Sequence, residues 1–182
     1  MARKEKRNVR FDNRHVRLKT GETQKKNGYE YRWTTKDGKR HSIFATTLDA
    51  LREMEADLAA DQHDGIKTDI KGLTVNDCYN LWKELKRGIK DSTFKNYIYM
   101  YEHFVMNDFG NRKIKEIRKS DVRRYYNGIV DSKKMSVATL ESIHTVLHQV
   151  FILAVEDGYI RINPSDLVLG DVKRSHNFET PK

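Results

Sequence analysis

A single cysteine, Cys78, stands among the 182 residues. One thiol builds neither a disulfide framework nor a thiolate metal site. No run approaches the roughly 18 apolar residues of a membrane helix, and the charged N-terminus has no apolar stretch resembling a leader. Nothing in the pattern repeats. A reducing cytoplasm is the expected compartment. Apolar residues make up only 37% and charged residues 34%, which is polar for one large core. Two small domains, each with a modest core, fit better.

What is abundant is positive charge, and it is unevenly placed. The formal net charge is +9, from 35 Lys and Arg against 26 Asp and Glu. Residues 1–45 hold 14 basic against 5 acidic residues, residues 46–66 hold 1 against 6, and residues 67–182 hold 20 against 15. A basic segment followed by an acidic one suggests one face for a polyanion and one turned away from it. Residues 1–14 read as a flexible basic arm.

Strand signals come next. A first strand is expected within Val16–Lys26. Asn27-Gly28 signals a tight hairpin of type I′, since both central positions need positive φ. Tyr29-Glu30-Tyr31-Arg32-Trp33-Thr34 alternates aromatic and polar residues. Asp37-Gly38 marks a second turn, and Arg40–Ala45 returns as a third strand. Thr46 or Thr47 then caps a helix with Leu48, Leu51, Met54 and Leu58 on its apolar face. That face should cover Tyr29, Tyr31 and Trp33, leaving Glu30, Arg32 and Thr34 on an open, basic side. A small sheet of this kind can enter a major groove.

From Leu73 onward the pattern is helical. Thr74 caps a helix over about Val75–Arg87, with Asp77 in the capping-box position and Cys78, Leu81, Trp82 and Leu85 buried. Asp91 or Ser92 caps a second, running to about Met106. Ser120 caps a third, with Val122, Tyr125 and Ile129 inward. Ser136 caps a long fourth through Leu140, Ile143, Leu147, Val150, Phe151 and Ala154, closed by Gly158. Short connections make a compact bundle. Val172–Lys182 reads as a polar linker.

Leu73-Thr74-Val75 with Trp82, Asp91-Ser92-Thr93 with Asn96 and Tyr97, and Ile114 and Ile117 before Ser120-Asp121-Val122 follow one another in order. Ser136-Val137-Ala138-Thr139-Leu140 then leads to Gly158-Tyr159-Ile160 and Asn163-Pro164. This ordered set resembles the core-binding domain of tyrosine recombinases, the phage integrase family. Lys19-Thr20-Gly21-Glu22-Thr23-Gln24-Lys25-Lys26 and the following Asn27–Trp33 resemble the arm-binding domain of conjugative-transposon integrases. The implied fold is α+β, a three-stranded antiparallel sheet with one helix, followed by an all-α SAM-like bundle. Expected boundaries are 1–14 for the arm, 15–66 for the arm-type domain, 67–72 for a linker, 73–168 for the bundle and 169–182 for a second linker.

The resemblance implies DNA contacts at Lys19, Lys25, Lys26 and Arg32. It adds His41 on the third strand, where a slip of one residue would exchange the faces of His41, Ile43 and Phe44. In the bundle it nominates Thr93, Lys95, Asn96 and Tyr97, then Thr139, Ser142, Thr145 and His148. Hydroxyls and amides of this kind suit phosphates and adenine edges. The implied partners are double-stranded DNA at arm and core recombination sites, other integrase protomers and a DNA-bending accessory protein. No cofactor is implied. His144 and His148 lie one helical turn apart without a third ligand, which gives no metal site.

The family's nucleophilic Tyr and its phosphate-neutralising Arg, Lys and His are expected in a further domain beyond Lys182. The chain itself is expected to bind DNA without cutting it, as part of a mobile-element integrase acting in integration and excision. The alternative is a stand-alone truncated regulator or inhibitor of recombination. An RNA-binding sheet module is a third reading.

Overall fold

The computed structural model describes residues 9–35, 38–67, 72–133 and 135–176. The chain divides into two compact units, Met1–Asp69 and Ile70–Lys182.

The first unit is built on the expected meander. Strands β3 (Glu22–Lys25), β4 (Gly28–Thr34) and β5 (Arg40–Ala45) form one antiparallel sheet in that order. Helix α1 (Leu48–His63) covers one side, and Thr47 Oγ1 caps it by accepting from Ala50 N. Leu48 and Leu51 bury against Tyr29, Ala45 and Leu18, with Tyr31 and Ile43 packed beside them. Met54 departs from expectation and is 41% exposed. At about 100° per residue it lies roughly 120° round the helix from Leu48, whereas Glu55 lies only about 20° away. The inward positions therefore belong to Arg52 and Glu55. Arg52 Nε donates to Glu22 Oε1 at 3.0 Å, and Lys19 Nζ meets Glu55 at 3.5 Å. Glu22 is fully buried and also accepts from Lys19 N at 2.6 Å. A buried carboxylate persists only when paired and hydrogen-bonded in this way.

Two details of the sheet unit correct the sequence reading. First, Lys25 pairs with Gly28, so the two-residue loop is Lys26-Asn27 rather than Asn27-Gly28. Neither loop residue has positive φ, so the turn is not type I′. Gly28 is required by crowding instead: a Cβ there would lie 2.3 Å from the Ala45 carbonyl oxygen. The Asp37 position of the second turn lies outside the described residues. Second, the end of the expected flexible arm joins a short ribbon, while its residues 1–8 lie outside the described residues. Strands β1 (Arg10–Phe11) and β2 (Arg17–Leu18) pair antiparallel. The Asp12 carboxylate organises their connection, accepting from Val16 N at 2.7 Å, Arg14 N at 2.9 Å and Tyr29 Oη at 2.8 Å. These donors hold its pKa below the ordinary aspartate value.

The second unit is helical. α2 (Val75–Leu85) opens with the expected capping box between Thr74 and Asp77. Its buried face is Val75, Cys78, Tyr79 and Trp82; Leu85 is 56% exposed, so Tyr79 takes the place given to Leu85. Burial pushes the Cys78 thiol up to about 12, which makes it an inert core residue. α3 (Asp91–Met100) starts one residue early, with Lys90 as its N-cap and neither Asp91 nor Ser92 capping. It continues into a π-helical turn, Tyr101–Val105, where Tyr101 stacks on Tyr79 at 3.6 Å between ring centroids. Ser120 lies inside α4 (Lys119–Lys133) instead of capping it; Asp121 does the capping, accepting from Arg118 N at 2.9 Å.

α5 (Val137–Glu156) begins at Ser136 as expected. By length and hydropathy it could span a membrane, but its Leu140, Ile143, Leu147, Val150 and Phe151 are the centre of the bundle core. The last correction concerns the expected linker. α6 (Val168–Ser175) folds back with Val168 and Val172 buried, and Asp171 and Lys173 pair with Arg123 of α4 and Glu141 of α5.

Candidate nucleic-acid interface

Directly paired residues of antiparallel strands project to the same face. The observed register therefore sorts the sheet. Glu30 pairs with Thr23 and Phe44, Arg32 with Ser42, and Thr34 with Arg40. These residues, with Lys25, form the side away from α1. It is cationic and open: Lys25, Arg32, Thr34, Arg40 and Phe44 are all exposed. Among the described residues Glu30 is the one acid on it. Its carboxylate meets Arg32 Nη2 at 2.9 Å and Lys25 Nζ at 3.1 Å. Hydrogen bonds from Arg32 and then Lys25 hold its pKa below the usual glutamate value.

Of the residues nominated from sequence, Lys25 and Arg32 converge on this face, and Lys26 stands exposed in the adjoining turn. His41 does not join them. It pairs with Trp33 on the α1 side and stacks on that ring at 5.4 Å. It still lines the end of a shallow recess of about 450 Å3 along β4 and β5, together with Arg32, Arg40 and Ser42. Lys19 lies apart from the open face, engaged with Glu55 of α1. Arg40 and Ser42 were not singled out from sequence, and Phe44 entered only as a third-strand position of open register. The register supplies them, and no pattern signal fixes a register across a turn of unknown length.

In the helical unit Lys95 and Asn96 are exposed on the first turns of α3. Thr93 is half-buried, and Tyr97 packs on the core against Trp82 at 6.3 Å. On α5, Thr139 joins Ser136 in the cap at 2.9 Å. Ser142 and Thr145 hydroxyls donate back to the Ala138 and Glu141 carbonyls at 2.9 and 2.8 Å. Ser142 and Thr145 keep lone pairs for a further donor, but neither of these two hydroxyls has a free proton for a phosphate. His148 has a structural place: Nδ1 lies 2.9 Å from Ser165 Oγ and 3.1 Å from Asn163 Nδ2, tying down the turn before α6. His144 lies 3.0 Å from Tyr126 Oη, and burial, reinforced by His148, lowers its pKa to about 4. Among the described residues no cluster suits a metal ion. The α2–α3 loop, overlooked in the sequence, adds Lys86, Arg87 and Lys90, with Lys86 Nζ donating to Gln149 of α5 at 2.7 Å. The signal was there, three cations within five residues.

Burial pushes the phenols of Tyr79, Tyr101, Tyr125 and Tyr126 above their ordinary range. These side chains pack in the core.

Comparison with known families agrees with both folds. Residues 5–62 match the family described as the DNA binding domain of Tn916 integrase, and residues 74–130 match the phage integrase N-terminal SAM-like domain. Both matches are to domains of integrases, and each covers about a third of the chain. Among curated relatives, the transposase from transposon Tn916 of Enterococcus faecalis is 28% identical over 174 residues, covering 88% of this chain and 43% of the relative. A XerC-like tyrosine recombinase of Caldanaerobacter subterraneus subsp. tengcongensis is 26% identical, covering 76% of this chain and 38% of the relative. The chain thus spans less than half the length of these relatives. The integrase of transposon Tn1549, solved in complex with a circular-intermediate DNA, shares the fold over 55% of this chain and 31% of that one, with a TM-score of 0.50 and 24% identity.

Proposed function

We propose that this chain is the DNA-binding part of a mobile-element integrase of the tyrosine recombinase family. The sheet unit takes arm-type sites and the helical unit takes one half of a crossover core site, during integration and excision. The observation that carries the reading is the open face of the sheet, where Lys25, Arg32 and Arg40 stand exposed on a surface whose reverse is closed by α1. A three-stranded sheet spans about 10 Å across its strands, close to the roughly 12 Å width of a major groove. Further integrase protomers and a DNA-bending protein complete the assembly in this reading, and the bacterial cytoplasm is its location. These two domains bind, and strand cleavage belongs elsewhere in the recombinase.

The test is a gel-shift titration of the full chain and of Lys25→Ala/Arg32→Ala against selected arm and core duplexes at two salt concentrations. Loss of arm-site binding with core-site binding retained is expected. Equal loss at both sites would sink the assignment of the two units. On a nicked suicide substrate no covalent protein–DNA adduct is expected.

A further inference from the structure

The first unit carries a second cationic surface that the open face does not explain. A cleft of about 790 Å3 is lined by Val9, Arg10, Arg17, Leu18, Lys19, Thr20 and Arg52. Four of those seven residues are cations, and none is an acid. Two are fixed from beneath. Glu22 holds the Arg52 guanidinium, whose Nη2 also donates to the Arg17 carbonyl at 2.8 Å, and Glu55 holds Lys19. Arg10 and Arg17 pair with no carboxylate among the described residues, and both side chains are exposed. Among the described residues the Arg10 side chain reaches only the Lys19 carbonyl, at 3.5 Å. Gathering four cations repels unless an anion is brought to them, and among the described residues two here have no carboxylate partner.

We propose that this cleft is a separate phosphodiester-binding site, which grips the DNA backbone beside the groove that the sheet occupies. The inference rests on the reading that the sheet unit binds duplex DNA. Its geometry follows from β3. This strand is the outer edge of the sheet. Lys25 of β3 faces the open side, whereas Glu22, three residues earlier, anchors Arg52 on the α1 side. A sheet about 10 Å wide in a groove about 12 Å wide brings its edge strands against the sugar–phosphate walls. The β1–β2 ribbon and Arg52 flank that edge. Cations spread over two strands and a helix suit successive backbone phosphates better than one small anion.

The test uses the full chain with random-sequence duplex DNA and with a selected arm duplex. Each phosphate contact contributes about 0.9 to the slope of log affinity against log salt. Arg10→Ala/Arg17→Ala should lower that slope by between about one and two on both duplexes. The ratio of selected to random affinity should stay unchanged, since backbone contacts position without reading bases. Arg10→Lys/Arg17→Lys should keep most of the slope. Independently, duplex DNA should protect Arg10 and Arg17 of the unaltered chain from phenylglyoxal, read by mass spectrometry. Inorganic phosphate at matched ionic strength should protect them less. An unchanged slope in the alanine pair, or equal reactivity with and without DNA, overturns the cleft while leaving the open face standing. Equal protection by inorganic phosphate overturns it too, in favour of a small-anion site. Failure of the unaltered chain to bind any duplex overturns both readings.

Discussion

Glu30 sits between Lys25 and Arg32 on the open face, and under the proposed function its charge sets how strongly they attract a polyanion. Glu30→Gln should raise affinity for random duplex several-fold at low salt and by less at high salt, since exposed charges are screened over about 10 Å at 0.1 M. A fluorescence-anisotropy salt series checks this. Gly28 is a second position where one side chain decides the outcome. An alanine there meets the Ala45 carbonyl at 2.3 Å, so Gly28→Ala should cost about 1–3 kcal/mol in thermal or urea unfolding of the sheet unit. His144 makes stability depend on pH. Its folded pKa is depressed to about 4 from an ordinary 6.5, so the unfolded state takes up the proton first. Its contribution is complete above about pH 6.5 and fades as pH falls toward 4, with a slope of at most about 1.4 kcal/mol per pH unit. The difference between unaltered and His144→Gln chains in pH-dependent melts isolates it.

At the scale of elements, α5 and α6 hold the bundle together in different ways. α5 carries a continuous buried apolar face from Leu140 to Ala154, and Phe151→Ala should cost about 3–5 kcal/mol. Urea unfolding followed by circular dichroism measures it. α6 depends on two valines and two ion pairs, so its contribution is smaller and more sensitive to salt. That difference explains what could be read in advance. The periodicity of α5 and the capping box of Thr74 and Asp77 are strong local signals, and both elements lie where the sequence places them. α6 is hard to read because Val168, Leu169 and Val172 share one side of only two helical turns, too short a stripe to declare a helix without α4 and α5 against it. The β1–β2 ribbon is hidden for a like reason: two-residue strands have no period, and Asp12 acts through Tyr29, seventeen positions away. In the candidate site, alternation along β4 was enough to place Arg32 and Glu30 on the open side. Arg40, Ser42 and His41 depended on a register that only the folded pairing supplies. The cleft beside β3 could not be anticipated, since it draws on β1, β2 and α1 together.

At the scale of the whole molecule, each unit has its own core. Residues 1–66 and 67–182 made separately should each melt cooperatively. Joined, they should bind a DNA carrying both site types more tightly than either alone, to the extent that spacing or bending lets both engage. Two cores also bear on departure. A single rigid binder leaves in one event, at a rate indifferent to other DNA in solution. Here one unit can let go while the other stays, and a passing duplex can take the vacated surface before it closes again. Dissociation of the full chain should therefore quicken as competitor DNA is added, and the protein can be handed from one DNA segment to another without ever being free.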